Sequence, residues 1–580
     1  MQRLFKRGIF SAIAGGLVVS ACLAGTFLAA PAARAAEPVA PGSAAPAALA
    51  SARAAHAAGE YASAQKLLLP LLAAEPSNVE ARLVLARALE EHCLAEPAER
   101  EYRRVLRTSP REFEALLGLA RLRLKERDQE SAIEYATLAT GERPDDGGAL
   151  AILARALTRD GEYAEASECA RKAVELAPTE AAGHAALATI LFRTGDLEGS
   201  RRELHETVRC EPGNAYAHHR LGTGSGASFD PASRTAGARA AIATASSLLG
   251  ESRWEEARTV LDAALRESPD DFKLHHLLAV ALTEIDLARH ALSRMEEYGG
   301  LFDELPSPGE RGLAALFPDF ESLRPREKKT VALAVAPLRR YLTRLVAAGA
   351  SHRILPLEMS VCDLPEFRYL ADQRTFDRRL YAHVRGLGGR NAVTGREYLW
   401  EAADFRYNTL AHEFAHQVHL RAFSPEERER VEELYAEAVL ENRCLDYYAR
   451  SDCSEYFAQG YEAYVSLFKH PCLSATACHT RDELRERDPK LYAFIASVTD
   501  LGHETPAFTT AFTERAGRLS LAMGRRSDAA SYFATALGAS PAGDAGARIA
   551  HLLEACRVEA ELEGGVVPLR AAPQAGSDGD

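Results

Sequence analysis

Three histidines and one glutamate fall within eight residues in the stretch TLAHEFAHQVHL, residues 409–420. On a helix, residues four apart project from one face, so His412 and His416 can turn both imidazoles onto a single Zn2+ ion. Glu413 then lies beside that face. From there its carboxylate can reach water at the metal without ligating the metal, which is the position of a general base for hydrolysis. His419 lies three past His416, close to the same face. A ligating third histidine at the ten-residue spacing would have to be residue 422, which is alanine, so His419 reads as a supporting or pocket-lining group. A third ligand is on offer 39 residues after His416. There SDCSEYFAQGYEAYV supplies Glu455 and Glu462, seven apart on one helical face.

The elements that must hold these groups are legible in outline. In DFRYNTLAHEFAHQVHLRAF apolar residues recur at three and four, which predicts one helix, and SPEE from Ser424 starts the next with a cap and a proline. Upstream, VAPLRRYLTRLVAAG reads as an amphipathic helix and RILPLEMSV as a strand. NAVTGREYLW reads as a hairpin or edge strand, along which an extended peptide could pair through its main chain.

Taken together, these motifs resemble the gluzincin metallopeptidases, most closely the catalytic domain of the anthrax lethal factor type. That family's second helix carries E-x-F-A, here Glu455, Tyr456, Phe457 and Ala458. The resemblance implies that Glu455 completes a His, His, Glu zinc site. It also implies that a tyrosine seven residues earlier, Tyr448, donates to the oxyanion, with Tyr447 beside it an equal candidate by chemistry alone. Gln459 departs from the acidic residue common at its position. Cys444 and Cys453 lie between the two helices, where a local disulfide would fit.

Along the rest of the chain, prolines at 76, 110, 144, 178 and 212 recur every 34 residues. Twenty-four residues before each stands alanine (Ala52, Ala86, Ala120, Ala154, Ala188), and twelve before stands another small residue (Ala64, Ala98, Ala132, Ala166, Ser200). Small residues are needed where two helices approach closely, and proline ends the second. The pattern resembles tetratricopeptide repeats, which implies stacked helix pairs with a concave groove for protein or peptide partners. It breaks at GTGSGASFDPASRTAG, resumes before Pro269 with Trp254 and Ala257, and returns at Pro541 with Gly517, Ala529 and Ala536. Histidines inside the repeats (His218, His219, His275, His276) sit at no ligand spacing and read as structural, without acidic partners nearby in sequence. Cys93, Cys169 and Cys210 read as small buried residues of helices.

Arg3, Lys6 and Arg7 precede an uncharged stretch from Gly8 to Pro31, followed by Ala33, Arg34 and Ala35 as a cleavage pattern. This predicts export to a periplasmic or secreted location, by cleavage before Ala36, by lipidation at Cys22 in VSAC, or with the stretch kept as an anchor. Disulfides are then permitted, Cys472 and Cys478 being close in sequence. A net charge of −13 over 580 residues argues against a nucleic-acid binder, which needs clustered Lys and Arg, and no long basic run is present.

The expected fold class is mainly α: a tetratricopeptide-repeat solenoid with an inserted α+β gluzincin-like domain. The expected divisions are a signal at 1–36, a linker at 37–44, repeats at 45–222, a flexible linker at 223–236 and further repeats at 237–290. A connector at 291–325 leads to a zinc metallopeptidase domain at 326–505, a C-terminal repeat at 506–560 and a disordered tail at 561–580. The expected function is a zinc endopeptidase whose repeats recruit protein substrate or partner. The alternative is an extracytoplasmic repeat scaffold with an inactive peptidase-like domain.

Overall fold

The structure is a computed structural model that describes residues 44–126, 128–223, 234–291, 295–375, 379–446, 448–469, 479–500, 506–522, 526–539 and 543–562. The export segment with Cys22 and Ala36, most of the Gly/Ser-rich interruption, Tyr447, Cys472, Cys478, Pro541 and the terminal tail therefore lie outside the described residues.

Helices follow the proline period as antiparallel pairs, Val79–Glu91 with Ala95–Thr108, Phe113–Lys125 with Gln129–Glu142, Gly147–Asp160 with Tyr163–Leu176, and Ala181–Thr194 with Leu197–Cys210, preceded by helices Ala44–Ala57 and Tyr61–Ala74. The ten small residues named above are at most 1% exposed. They mark where the helices cross, because any larger side chain would hold the backbones apart. Several pairs turn on a residue in the left-handed region, Gly59, Gly161 and Gly195 among them, with Cys93 at φ +59° in the same repeat position. Cys93 is thus a turn residue rather than a helical one, whereas Cys169 and Cys210 are half-buried in helices.

The expected break in the array is bridged. Helix Ala215–Thr223 precedes the interruption, and the pair Ala236–Gly250 and Trp254–Glu267 follows it, but the long helix Phe272–Ala291 packs against all three. Gly222 permits this, since a Cβ there would come within 2.6 Å of the His276 backbone.

Helix Phe272–Ala291 also grips the segment beyond the repeats through buried polar contacts. Lys273 Nζ donates to the carbonyls of Leu357 (3.1 Å) and Met359 (2.7 Å). His276 Nε2 lies 3.2 Å from Glu397, whose carboxylate is held in a two-pronged pair by Arg385, and Glu284 pairs with Arg406. His276 therefore has an acidic partner after all, one that lies 121 residues away in sequence and only folding brings near.

Beyond the repeats, helix Pro325–Val335 leads to a three-stranded sheet, β1 (Ser351–Leu355), β2 (Gly386–Leu387) and β3 (Asn391–Gly395), in the order β1-β3-β2. β1 runs parallel to β3, and β2 antiparallel to it. This corrects the reading of NAVTGREYLW. Asn391–Gly395 is the central strand with both edges already paired, and Arg396–Ala403 is a helix that turns Glu397 inward to Arg385. The sheet edge that faces the histidine helix is β2.

The remaining elements are helices Thr409–Arg421, Pro425–Leu440, Cys453–Val465, Arg481–Arg487 and Pro489–Val498, then the terminal helices Pro506–Ala522, Arg526–Gly538 and Asp544–Leu562. The terminal helices return to the array's beginning. The Arg526 N–H donates to Glu96 (2.6 Å), and Leu94 packs on a cluster that includes Phe302, Phe405, Phe512 and Leu519. Among the described residues no helix is long and apolar enough to cross a membrane.

Candidate metal centre

Helix Thr409–Arg421 is buried from Thr409 through His419, so its position is set on every side. Its start is fixed twice. The Asn408 side chain accepts from Ala411 N–H (3.0 Å), and the Asn408 N–H donates to Glu462 (2.9 Å). One residue past His416, Gln417 donates to the carbonyls of Ser351 (3.0 Å) and Arg390 (3.1 Å) and meets His352 Nδ1 at 2.9 Å, which ties the helix to β1 and β3. Helix Cys453–Val465 packs alongside, and its cap Asp452 accepts from the N–H groups of Ser454 and Glu455.

Three donor atoms converge between these helices. His412 Nε2 and His416 Nε2 lie 3.1 Å apart, and Glu455 Oε2 lies 3.1 Å from the first and 3.4 Å from the second. Ligands held at roughly 2.0–2.2 Å by a tetrahedral Zn2+ stand about 3.3–3.5 Å apart, so the triangle matches one face of such a coordination shell.

The outer nitrogens agree with that use. His412 Nδ1–H donates to the Tyr407 hydroxyl (2.8 Å), which donates in turn to Gln459 (2.9 Å), and His416 Nδ1 lies 2.7 Å from the Ser454 hydroxyl, which can accept its N–H. Both imidazoles then present a bare Nε2 to the centre. Glu455 Oε2 is buried with no hydrogen bond among the described residues, the state of an oxygen fitted to a cation.

Glu413 offers an oxygen within 4.8 Å of both histidine donors as well. Glu455, however, touches both Nε2 atoms at once from the opposite helix, whereas Glu413 stands to one side, as a base beside the metal would. Burial pushes the Glu413 carboxyl up against the opposing pull of His412 and His416, a shift suited to a group that must take up a proton. Tyr448 lies half-buried with its ring centre 6.2 Å from that of His412.

Two sequence candidates stand elsewhere. Glu462 is spent on Asn408, Ser466 and Lys469. His419 packs against the rings of Phe457 (5.5 Å) and Phe423 (6.0 Å), and burial lowers it to about 4. It is a core residue and not a pocket wall. Cys444 and Cys453 are free thiols and form no disulfide.

Close approach of backbone completes the site. A Cβ on Gly386 would come within 2.6 Å of Glu413 Oε1, and one on Gly388 within 2.6 Å of His416 Cβ. The GLGG run at 386–389 carried that signal in the sequence. Tyr407, Ser454 and Gln417 carried none, because their types are ordinary and only the fold brings them to the histidines.

The tetratricopeptide repeat family matches at residues 49–92, 96–147 and 153–215. Among solved structures, a thermophilic repeat protein of Thermus thermophilus is 19% identical at a TM-score of 0.28, covering 30% of this chain and 96% of that one. MamA of Desulfovibrio magneticus RS-1 is 21% identical at 0.26, covering 30% and 99%, and YrrB, a repeat protein with an unusual peptide-binding site, is 16% identical at 0.24, covering 30% and 89%. No curated protein matches the chain. Residues 49–215 are thus tetratricopeptide repeats in sequence and in helix pairing alike.

Proposed function

We propose that the chain is a zinc-dependent endopeptidase whose repeats hold a protein substrate or partner. The observation that carries this reading is the triangle of His412 Nε2, His416 Nε2 and Glu455 Oε2 with buried Glu413 beside it. Zn2+ bound there would supply Lewis-acid polarisation of water and of the scissile carbonyl. His412, His416 and Glu455 bind it, and Tyr407 and Ser454 fix the two imidazole tautomers. Glu413 takes a proton from the attacking water and returns it to the departing amine. Tyr448 donates its hydroxyl to the developing oxyanion, a bond that strengthens as charge builds up. Tetratricopeptide arrays are surfaces for extended protein contact, which suits delivery of a polypeptide. The basic start and apolar stretch of the first 36 residues support export, which a mature N-terminus at Ala36 or a lipidated Cys22 would bear out and an intact cytoplasmic Met1 form would defeat.

The test is metal content together with cleavage of an unstructured protein. Glu413→Gln should keep about one zinc per chain and lose roughly 10²- to 10⁴-fold in kcat. Tyr448→Phe should lower kcat far more than it raises KM. Undiminished cleavage by zinc-replete Glu413→Gln would end the peptidase reading and leave a repeat scaffold that binds metal.

A further inference from the structure

Six residues after the proline that closes a repeat, several side chains reach back to that proline's carbonyl. Arg82 donates to Pro76, and His184 Nε2 lies 3.2 Å from the Pro178 oxygen. The other end of each holds a carboxylate nineteen residues further on, Glu101 for Arg82 and Glu203, at 2.7 Å, for His184.

His218 and His275 occupy this same position. Their Nε2 atoms lie 3.0 Å from the Pro212 oxygen and 2.7 Å from the Pro269 oxygen. The residues nineteen further on are Gly237 and Arg294, so neither histidine has its carboxylate. Instead the two Nδ1 atoms face one another at 2.7 Å, with both residues no more than 3% exposed.

Each of these three contacts needs one hydrogen between its heavy atoms. Two neutral imidazoles carry only two. In the neutral pair one lone pair must therefore point at a carbonyl oxygen, or at the other lone pair, within 3.0 Å. A single added proton completes all three bonds. We infer that His218 and His275 share one proton at neutral pH, which makes the contact between helices Ala215–Thr223 and Phe272–Ala291 a proton-binding site.

A second added proton would set Nδ1–H against Nδ1–H. Burial opposes charge on both rings, lowering His218 and taking His275 to about 3, and the three completed hydrogen bonds are what the first proton gains against that cost, whereas a second proton completes none. The charged groups around the pair are few. His205 of helix Leu197–Cys210 stands with its ring centre 6.0 Å from that of His275 and opposes charge. Asp262 of helix Trp254–Glu267 favours charge on His218. Asp270, in the turn between, is spent on Arg201 and His205. On the pair's own helices, His219 and Arg220 follow His218, while Lys273, His276 and Glu284 are spent on the inserted segment. The proton thus sits where the first repeats join the helix that grips the candidate metal centre's surroundings.

The test compares the wild-type chain with His275→Gln, counting protons in a pH-stat while guanidinium unfolds each. The amide introduced by that substitution can donate to both the Pro269 oxygen and His218 Nδ1, so the variant's junction is complete without an added proton. At pH 7.5 the wild type should release about one proton more than the variant, and at pH 5 the two should take up equal numbers. A neutral pair gives the opposite outcome: equal release at about pH 7.5, and one extra proton taken up by the wild type at about pH 5. That result would overturn the inference. His218→Gln repeats the count from the other side. Should neither variant fold, histidine-selective 15N spectra of the wild type at neutral pH decide the matter, with three N–H groups on the two rings expected and two overturning it.

Discussion

At the residue scale, the donor triangle depends on a tyrosine that no motif announces. The Tyr407 hydroxyl accepts from His412 Nδ1–H and so leaves Nε2 bare for metal. Tyr407→Phe should lower zinc affinity about 10- to 100-fold with the fold intact, which a competing chelator would measure. An unchanged affinity would mean that the ring is oriented by packing alone. His412, Glu413 and His416 were legible because a helix fixes the relation of residues four apart. The choice of Glu455 over Glu462 rested on resemblance until folding showed Glu462 engaged with Asn408 and Lys469. His419 illustrates the limit of helical arithmetic. Three residues from His416, it faces Phe423 and Phe457 because the face is narrow and the aromatic core begins at its edge.

Among elements, the helix pairs were readable because each is a local unit with its own turn and stop. Strand roles were not, because a strand's neighbours lie elsewhere in the chain. NAVTG has the composition of an edge, yet pairing with β1 from one side and β2 from the other makes it the centre. The edge that matters is two residues long and framed by glycines. Gly388→Ala places a methyl within 2.6 Å of His416 Cβ, so the backbone or His416 must move. Zinc should bind more weakly, and activity should fall even where thermal stability drops only modestly. Metal titration beside a melting curve separates the two effects.

For the whole molecule, buried polar ties hold the repeats and the inserted segment as one body, and they set its response to acid. Glu327 opens helix Pro325–Val335 and accepts from Arg324, Arg396 and Trp400. Burial alone would raise its carboxyl, but those donors prevail and hold it at about 2, below the ordinary 4.5. A depressed carboxylate stabilises the fold above its ordinary value and loses that contribution as pH falls toward its folded one. The contribution should therefore be present above pH 4.5 and be lost as pH falls from 4.5 toward 2. The stability difference between wild type and Glu327→Gln should shrink across that window. A difference that held constant to the bottom of the window would assign the stabilisation to packing.

The contact of Arg526 with Glu96 joins residues 430 apart in sequence, and this bears on the order in which the molecule comes into being. Repeats stack on their nearest neighbours, so the first pairs can form as soon as they leave the ribosome. The Glu96 carboxylate cannot meet the Arg526 N–H until that partner has been made. At ordinary elongation rates that interval is on the order of half a minute. This contact is then among the last to form, and a chain that loses its final helices leaves Glu96 without the Arg526 N–H and takes Phe512 and Leu519 from the cluster on which Leu94 packs.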